Sequence, residues 1–263
     1  MIRSAALPRP LVHALVAAGV ALSVSLPVRA AAEDMTISDA NRKEIESIIR
    51  SYLIENPEVL IEAQQALEEK QAAEQRDLQR AVISAAGNDL FDSEHDGLIG
   101  NPQGSVTIVE FFDYNCGYCK RALDDMQAMV EADKDLRFVL KEFPILGEDS
   151  QKAHIVSQAL INIAPDKYPE FHQQLLSSRG RATEDKAIEI ATGMGIAEAE
   201  LREAMKDPQI IATFRKTYDL ANKLSITGTP SYVLGDEVVF GALGQDVLSA
   251  KVENLRACNS TEC

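Results

Sequence analysis

The stretch that most constrains how this chain folds is 106–121, VTIVEFFDYNCGYCKR. Positions 106–112 are β-branched, aromatic and aliphatic, broken only by Glu110. Such a run reads as a strand buried on both faces, at the centre of an open α/β sheet. Asp113 to Asn115 make a short polar turn, and Cys116 then stands where a helix begins. Leu123, Met126 and Val130 continue at helical spacing behind it. A thiol in the first turn of a helix faces unpaired backbone N–H groups and the positive end of the macrodipole, which lower its pKa. Cys119 lies one turn further in, more shielded, and close enough to close a small ring with Cys116. An attacking and a resolving cysteine are what thiol–disulfide exchange needs.

A C-x-x-C pair is also half of a structural zinc site. The other two cysteines, Cys258 and Cys263, have four residues between them and lie in a polar tail without a neighbouring histidine. They do not complete a ligand set, so no metal and no cofactor is expected. They read instead as a small tail disulfide. His95, His154 and His172 are isolated from any ligand spacing and read as structural or surface residues.

Positions 1–32 carry Arg3 and Arg9, an apolar run over 11–26, and the small residues Ala30, Ala31 and Ala32. That is the pattern of a secretory signal peptide. Pro27 and Arg29 close the run below the ~20 residues of a membrane span. The expected location is the periplasm, a compartment in which disulfides persist. The chain has 26 basic and 41 acidic residues, a net charge of −15. Loss of the three leader arginines makes it about −18, which repels phosphate and argues against nucleic-acid binding.

Positions 36–86 read as a helical arm within a segment spanning 33–88. Ile45, Ile48, Ile49, Tyr52 and Leu53 make one apolar face, and Pro57 suits the first turn of a second helix. Leu60, Ala63, Leu67, Leu78, Ala81 and Ala85 trace a thin seam beyond it, interrupted by Gln71 and Glu74. Either the arm packs on the body of the protein or it pairs with copies of itself. The strong face at 45–53 favours a homo-oligomer. Positions 89–104 read as a loop with a short strand near 90–92. A second central strand is expected over 136–143. Helices over 151–163, 167–176, 184–194, 198–206 and 210–224 form an inserted helical block at about 149–224. Strands over 231–234 and 237–240, joined at Gly235-Asp236, resume the sheet, and a helix over 245–257 ends it.

EFFDYNCGYCK followed by the helical block and ITGTPSYVLG resembles the thioredoxin-fold family of exported disulfide oxidoreductases, in its DsbA-like branch. The resemblance covers about 89–257. It implies an α/β thioredoxin fold with an inserted helical subdomain, in a domain over 89–263, and a cis Pro230 with Thr229 beside Cys116. It also implies protein substrates bearing cysteines or disulfides and a membrane redox partner that resets the pair. Backbone groups at Thr229 can then meet an extended substrate peptide, with Gly117 and Tyr118 flanking the attacking sulfur. The resemblance further places the buried acid Glu110 near Cys119, where it could take that thiol's proton, and Lys141 on the neighbouring strand is a candidate partner for the acid.

Three departures from the archetypal oxidase push away from simple oxidation. Gly117-Tyr118 replaces Pro-His, and tyrosine adds no positive charge near the thiolate. Thr229 replaces valine and is more typical of isomerase relatives. The helical arm is absent from that oxidase and is similar to the one of ScsC-like proteins, which assemble as trimers. The leading expectation is therefore an isomerase or reductase. A DsbA-like dithiol oxidase, a copper-binding or copper-protective thiol protein, and a holdase chaperone working through the arm are the alternatives.

Overall fold

The computed structural model describes residues 38–92 and 95–263, so the expected signal peptide lies outside the described residues. The chain divides into two units, at Leu60 and Ile61. In the first, α1 (Asp39–Glu55) is capped by Ser38, whose hydroxyl accepts from the Asn41 N–H at 3.2 Å. None of its residues is buried, and Ile45, Ile48, Ile49 and Tyr52 are all exposed.

The helix α2 (Glu58–Ala86) starts just before this division and belongs mostly to the second unit. Leu67 and Leu78 of the expected seam are exposed. The buried side chains are Gln79 and Ile83, with Val82 and Ala86 packed beside them. Gln79 Nε2 donates to the Leu224 carbonyl at 3.2 Å, and Gln75 Nε2 to Ser225 Oγ at 3.0 Å. The last turns of α2 are thus fastened by polar groups. Apolar patterning cannot see such contacts.

A short α3 (Asn88–Phe91) follows, where the sequence suggested a strand. The first strand is instead β1 (Gly97–Gly100), in the stretch read as loop. Its glycines conceal it, because glycine has low β-propensity. Gly97 is required there: a Cβ would lie 2.1 Å from the Tyr168 ring. The remaining strands are β2 (Val106–Phe112), β3 (Leu136–Glu142), β4 (Ser231–Leu234) and β5 (Glu237–Phe240). Their order in the sheet is β1-β3-β2-β4-β5, with β2 and β3 parallel and every other neighbour antiparallel.

Between β2 and β3 runs α4 (Gly117–Ala132). Between β3 and β4 come α5 (Glu148–Ile163), α6 (Tyr168–Ser177), α7 (Glu184–Gly193), α8 (Glu198–Ala204) and α9 (Pro208–Lys223); α10 (Gln245–Cys258) ends the order. Ile108, Phe112, Leu140 and Tyr232 join one core with α4, the helical insert and α10. Val109, Phe111, Val139 and Val233 join a second core with α9, α3 and Ile83. This is a thioredoxin fold of the DsbA type, with an N-terminal helical arm. Cys258 and Cys263 are disulfide-bonded.

Candidate active site

The central strand β2 delivers the chain to a turn that is pinned on three sides. Asp113 is fully buried. Its Oδ1 accepts from the Asn115 N–H and the Ser150 hydroxyl, both at 2.8 Å, and its Oδ2 from the N–H groups of Ile145 and Leu146 at 2.9 and 3.0 Å. Asn115 Nδ2 donates to the Ala182 carbonyl at 3.0 Å while its Oδ1 accepts from the Ala182 N–H at 2.8 Å. One side-chain amide thereby ties the residue before Cys116 to the helical insert.

A buried polar cluster supports the same turn from below. His154 Nε2 accepts from the Tyr114 N–H at 3.2 Å, and its Nδ1 pairs with Glu142 Oε2. Ser157 Oγ donates to Glu142 Oε1 at 2.7 Å and shares a 2.8 Å hydrogen bond with the Tyr114 hydroxyl. Tyr168 and His172 complete it, their hydroxyl and Nδ1 3.3 Å apart. Burial drives His172 down to about 3, with His154 adding to the shift, so it is neutral at ordinary pH. Of the three histidines read as isolated in sequence, His154 and His172 are therefore interior, structural residues, and Nε2 of His172 has no partner among the described residues. Asp113, Asn115 and Tyr114 had appeared only as a turn. The one sequence signal for them is a run of polar side chains between a buried strand and a reactive cysteine.

Cys116 is the N-cap of α4, and its sulfur accepts from the Cys119 N–H at 3.4 Å. The Thr229–Pro230 peptide is cis, and the Cys116 sulfur lies 3.1 Å from the Thr229 carbonyl oxygen, to which it donates when protonated. Both cysteines are free thiols. A hydrogen bond from the Cys119 side chain, then others from the Thr229 side chain and the backbone N–H groups of Cys119 and Tyr118, overcome burial and hold Cys116 near 5. Cys119 is pushed far above the ordinary thiol range by burial, by its hydrogen bond to Cys116 and by Glu110. At neutral pH the pair is thus one thiolate and one thiol.

Tyr118 stands out from the surface with Arg121 stacked on it, the guanidinium carbon 4.3 Å from the ring centre. A Cβ added at Gly117 would meet nothing within 4 Å, so the first turn of α4 is open at that position. Glu110 is 2 % exposed and raised to about 8 by burial first and by Cys116 second. It faces the α4 side of the sheet, with Leu140 beside it. Lys141 is not its partner. The parallel register sets Lys141 opposite Phe111, on the other face. There Lys141 pairs with Asp96 and donates to the Asp89 carbonyl. Asp96 is raised to about 6 because burial outweighs the lysine's pull. Glu110 Oε2 has no hydrogen-bond partner among the described residues. Among the described residues no cluster of three or more metal-ligating side chains occurs.

A low-pKa cysteine at a helix start, a shielded second cysteine and a cis-proline loop on this sheet define a thioredoxin-fold thiol–disulfide oxidoreductase. The model of the DSBA-like thioredoxin domain matches residues 107–253, and the chain belongs to that family. A second model, that of the copper resistance protein ScsC N-terminal domain, matches residues 41–74. A thioredoxin-like oxidoreductase from Silicibacter pomeroyi is 38 % identical, with a TM-score of 0.62 over 65 % of this chain and 98 % of its own. ScsC of Proteus mirabilis, in a transitional conformation, is 27 % identical with a TM-score of 0.62, over 84 % of this chain and 99 % of its own. Disulfide bond formation protein D of Bacillus subtilis is 24 % identical over 166 residues, 59 % of this chain and 75 % of its own length.

Proposed function

We propose that the chain is exported with residues 1–32 removed and acts in the periplasm as a protein disulfide isomerase or reductase. Cys116 is the nucleophile. Its thiolate attacks a substrate disulfide, forming a mixed disulfide and expelling a substrate thiolate. A second substrate thiolate then attacks and frees Cys116, which is isomerisation. Alternatively Cys119 attacks the Cys116 sulfur, the enzyme pair is oxidised, and the substrate leaves reduced; a membrane redox partner must then reset the pair. Glu110 takes the proton of Cys119, and Thr229, Pro230, Gly117 and Tyr118 receive the substrate chain. Export of the relatives gives support: one of the similar solved structures, from Salmonella enterica serovar Typhimurium, is described as a periplasmic thioredoxin-like protein. No helix among the described residues is long and apolar enough to cross a membrane.

The observation that carries the isomerase reading is the arm. The apolar side chains of α1 are exposed, and a second copy of the chain would cover them, placing several Cys116 thiolates around one misfolded substrate. The test is reactivation of scrambled, oxidised ribonuclease by protein lacking residues 1–32, beside a form that begins at 75. A cut at 86 would also remove Ile83 from the core, so the later cut tests folding rather than assembly. Reactivation by the longer form alone supports the reading. Rapid oxidation of a reduced peptide by both forms, without reactivation, makes the protein an oxidase. A copper role is the second reading, favoured by the match of 41–74 to a domain named for copper resistance. Tight Cu(I) binding by the reduced pair, with no exchange toward protein disulfides, would establish it.

A further inference from the structure

The chain is acidic, with a net charge of −15, so it repels an acidic partner except where cations gather without carboxylates beside them. One such gathering flanks Cys116. Lys120 lies one helical turn behind the cysteine, on the same face of α4. Its Nζ pairs with no carboxylate among the described residues. It donates instead to the carbonyls of Ser178 and Gly180, at 3.1 and 3.2 Å. Gly180 has a φ of +79°, a left-handed turn that suits glycine. Asn115 holds both backbone groups of Ala182. The segment 178–182 is therefore strapped to the chain at two points, just before Cys116 and just after Cys119.

That strap carries Arg179 and Arg181. Arg181 is paired with Asp149 at 2.7 Å. Arg179 is exposed and has no ion-pair partner among the described residues. On α4 itself, Arg121 has Asp124 and Asp125 at the two spacings that allow a helical ion pair. It pairs with neither. Its guanidinium lies over the Tyr118 ring, 4.3 Å from the centre and one turn nearer Cys116. Tyr118 is 59 % exposed, and its N–H is one of the donors to the Cys116 sulfur. Two guanidinium groups thus stand by the site with no carboxylate bound, each able to take one as a fork. A carboxylate brought to Cys116 without them would meet only a thiolate of its own sign.

We propose that Arg121 and Arg179 select substrates whose exchanging cysteine is flanked by acidic residues, an inference that rests on the disulfide-exchange reading above. The two arginines bind the flanking carboxylates and leave the reacting sulfurs to Cys116 and Cys119. Charge complementarity of this kind sets which segment docks and how fast, more than how tightly it is held.

The test uses reduced protein lacking residues 1–32 and short peptides whose cysteine carries a pyridyl disulfide, with Asp-Cys-Asp, Asn-Cys-Asn or Lys-Cys-Lys cores. The Cys116 thiolate attacks the peptide sulfur, the bond to the pyridyl sulfur breaks, and pyridinethiolate leaves and takes a proton from water. Absorbance of the released pyridinethione reads the rate. The acidic core reacts about threefold faster than the neutral one, as an exposed ion pair of ordinary strength gives, and the basic core reacts more slowly. Arg121→Gln and Arg179→Gln each lower the acidic-to-neutral ratio, and Arg179→Glu inverts it. Sodium chloride at about 1 M, with a Debye length of ~3 Å, removes it. Lys216→Gln takes the same charge from α9, beside Lys141 on the other face of the sheet, and leaves the ratio as it was. Equal rates for the acidic and basic cores, a ratio that survives both arginine substitutions, or one that Lys216→Gln lowers as much, overturns the inference while exchange itself stands. If no peptide releases pyridinethione, the exchange reading fails and the inference with it.

Discussion

The Cys116 thiolate rests on a small set of named hydrogen bonds, so it can be weakened by a known amount. With a pKa near 5 against the ordinary 9.0, about 99 % of the sulfur is ionised at pH 7, compared with about 1 % for an unperturbed thiol. Thr229→Val removes the hydroxyl contribution and keeps the shape. A hydrogen bond to a charged group contributes about 1.5–3 kcal/mol. Several donors share the sulfur's charge, so the low end applies. At 1.36 kcal/mol per pKa unit, the variant's Cys116 then titrates about one unit higher, near 6.

The assay is the rate of iodoacetamide alkylation of the reduced protein against pH, followed by mass spectrometry. The sign for stability follows from linkage. The folded pKa lies below the unfolded one, so the thiolate stabilises the reduced fold fully above pH 9.0, and that stabilisation is lost as the pH falls through about 5. Four units correspond to ~5 kcal/mol as an upper bound, and solvent screening of a partly reachable sulfur reduces this to ~2–3 kcal/mol. Reduced protein should therefore gain denaturant resistance over Cys116→Ser as the pH rises from 5 to 9. An alkylation midpoint above pH 7, or one that Thr229→Val does not move, would refute the hydrogen-bond account.

Tyr118→His adds a partial positive charge beside the thiolate and should raise the reduction potential, by at most about 30 mV for one pKa unit, read from equilibrium with glutathione. Asn115→Ala strips both hydrogen bonds from the Ala182 backbone; we expect a loss of ~2–3 kcal/mol at ~1 kcal/mol per bond plus an unmet buried group, with faster amide exchange at 178–183. His154→Leu leaves the buried Glu142 carboxylate without its ring partner. Denaturant melts should show a loss of ~3–5 kcal/mol, and Glu142→Gln in the same chain should recover part of it. Gly97→Ala drives a methyl into Tyr168 and should cost about 1–3 kcal/mol by overpacking, measured the same way.

How much of this was legible in the sequence depended on the kind of contact involved. The run 106–112 and the Cys-Gly-Tyr-Cys start of α4 announce the core of the sheet, because apolar continuity and a reactive residue at a helix cap are local signals. The helices of the insert also stand out, each to within a few residues, since each carries its own apolar face. The strand β1 does not. Its GLIG sequence pairs with β3 through backbone groups and packs Gly97 against a distant ring, and neither contact leaves a mark in the neighbouring residues.

Glu110 and Lys141 show the same limit at the site itself. Adjacent strands and opposite charges make a plausible pair until register is known. A parallel alignment that sets Glu110 beside Leu140 sends Lys141 to the opposite face, where Asp96 meets it. That one-residue offset leaves Glu110 without a cation, so its carboxyl is held near neutrality by burial and the Cys116 charge alone. A lysine beside it would have kept the carboxylate ionised and made it a poor proton donor at pH 7. With its pKa near 8, the acid exchanges its proton close to neutral pH, as the relay proposed above requires. The register of a single strand pair thus decides whether Glu110 stands as an unpaired buried acid or in a buried salt bridge.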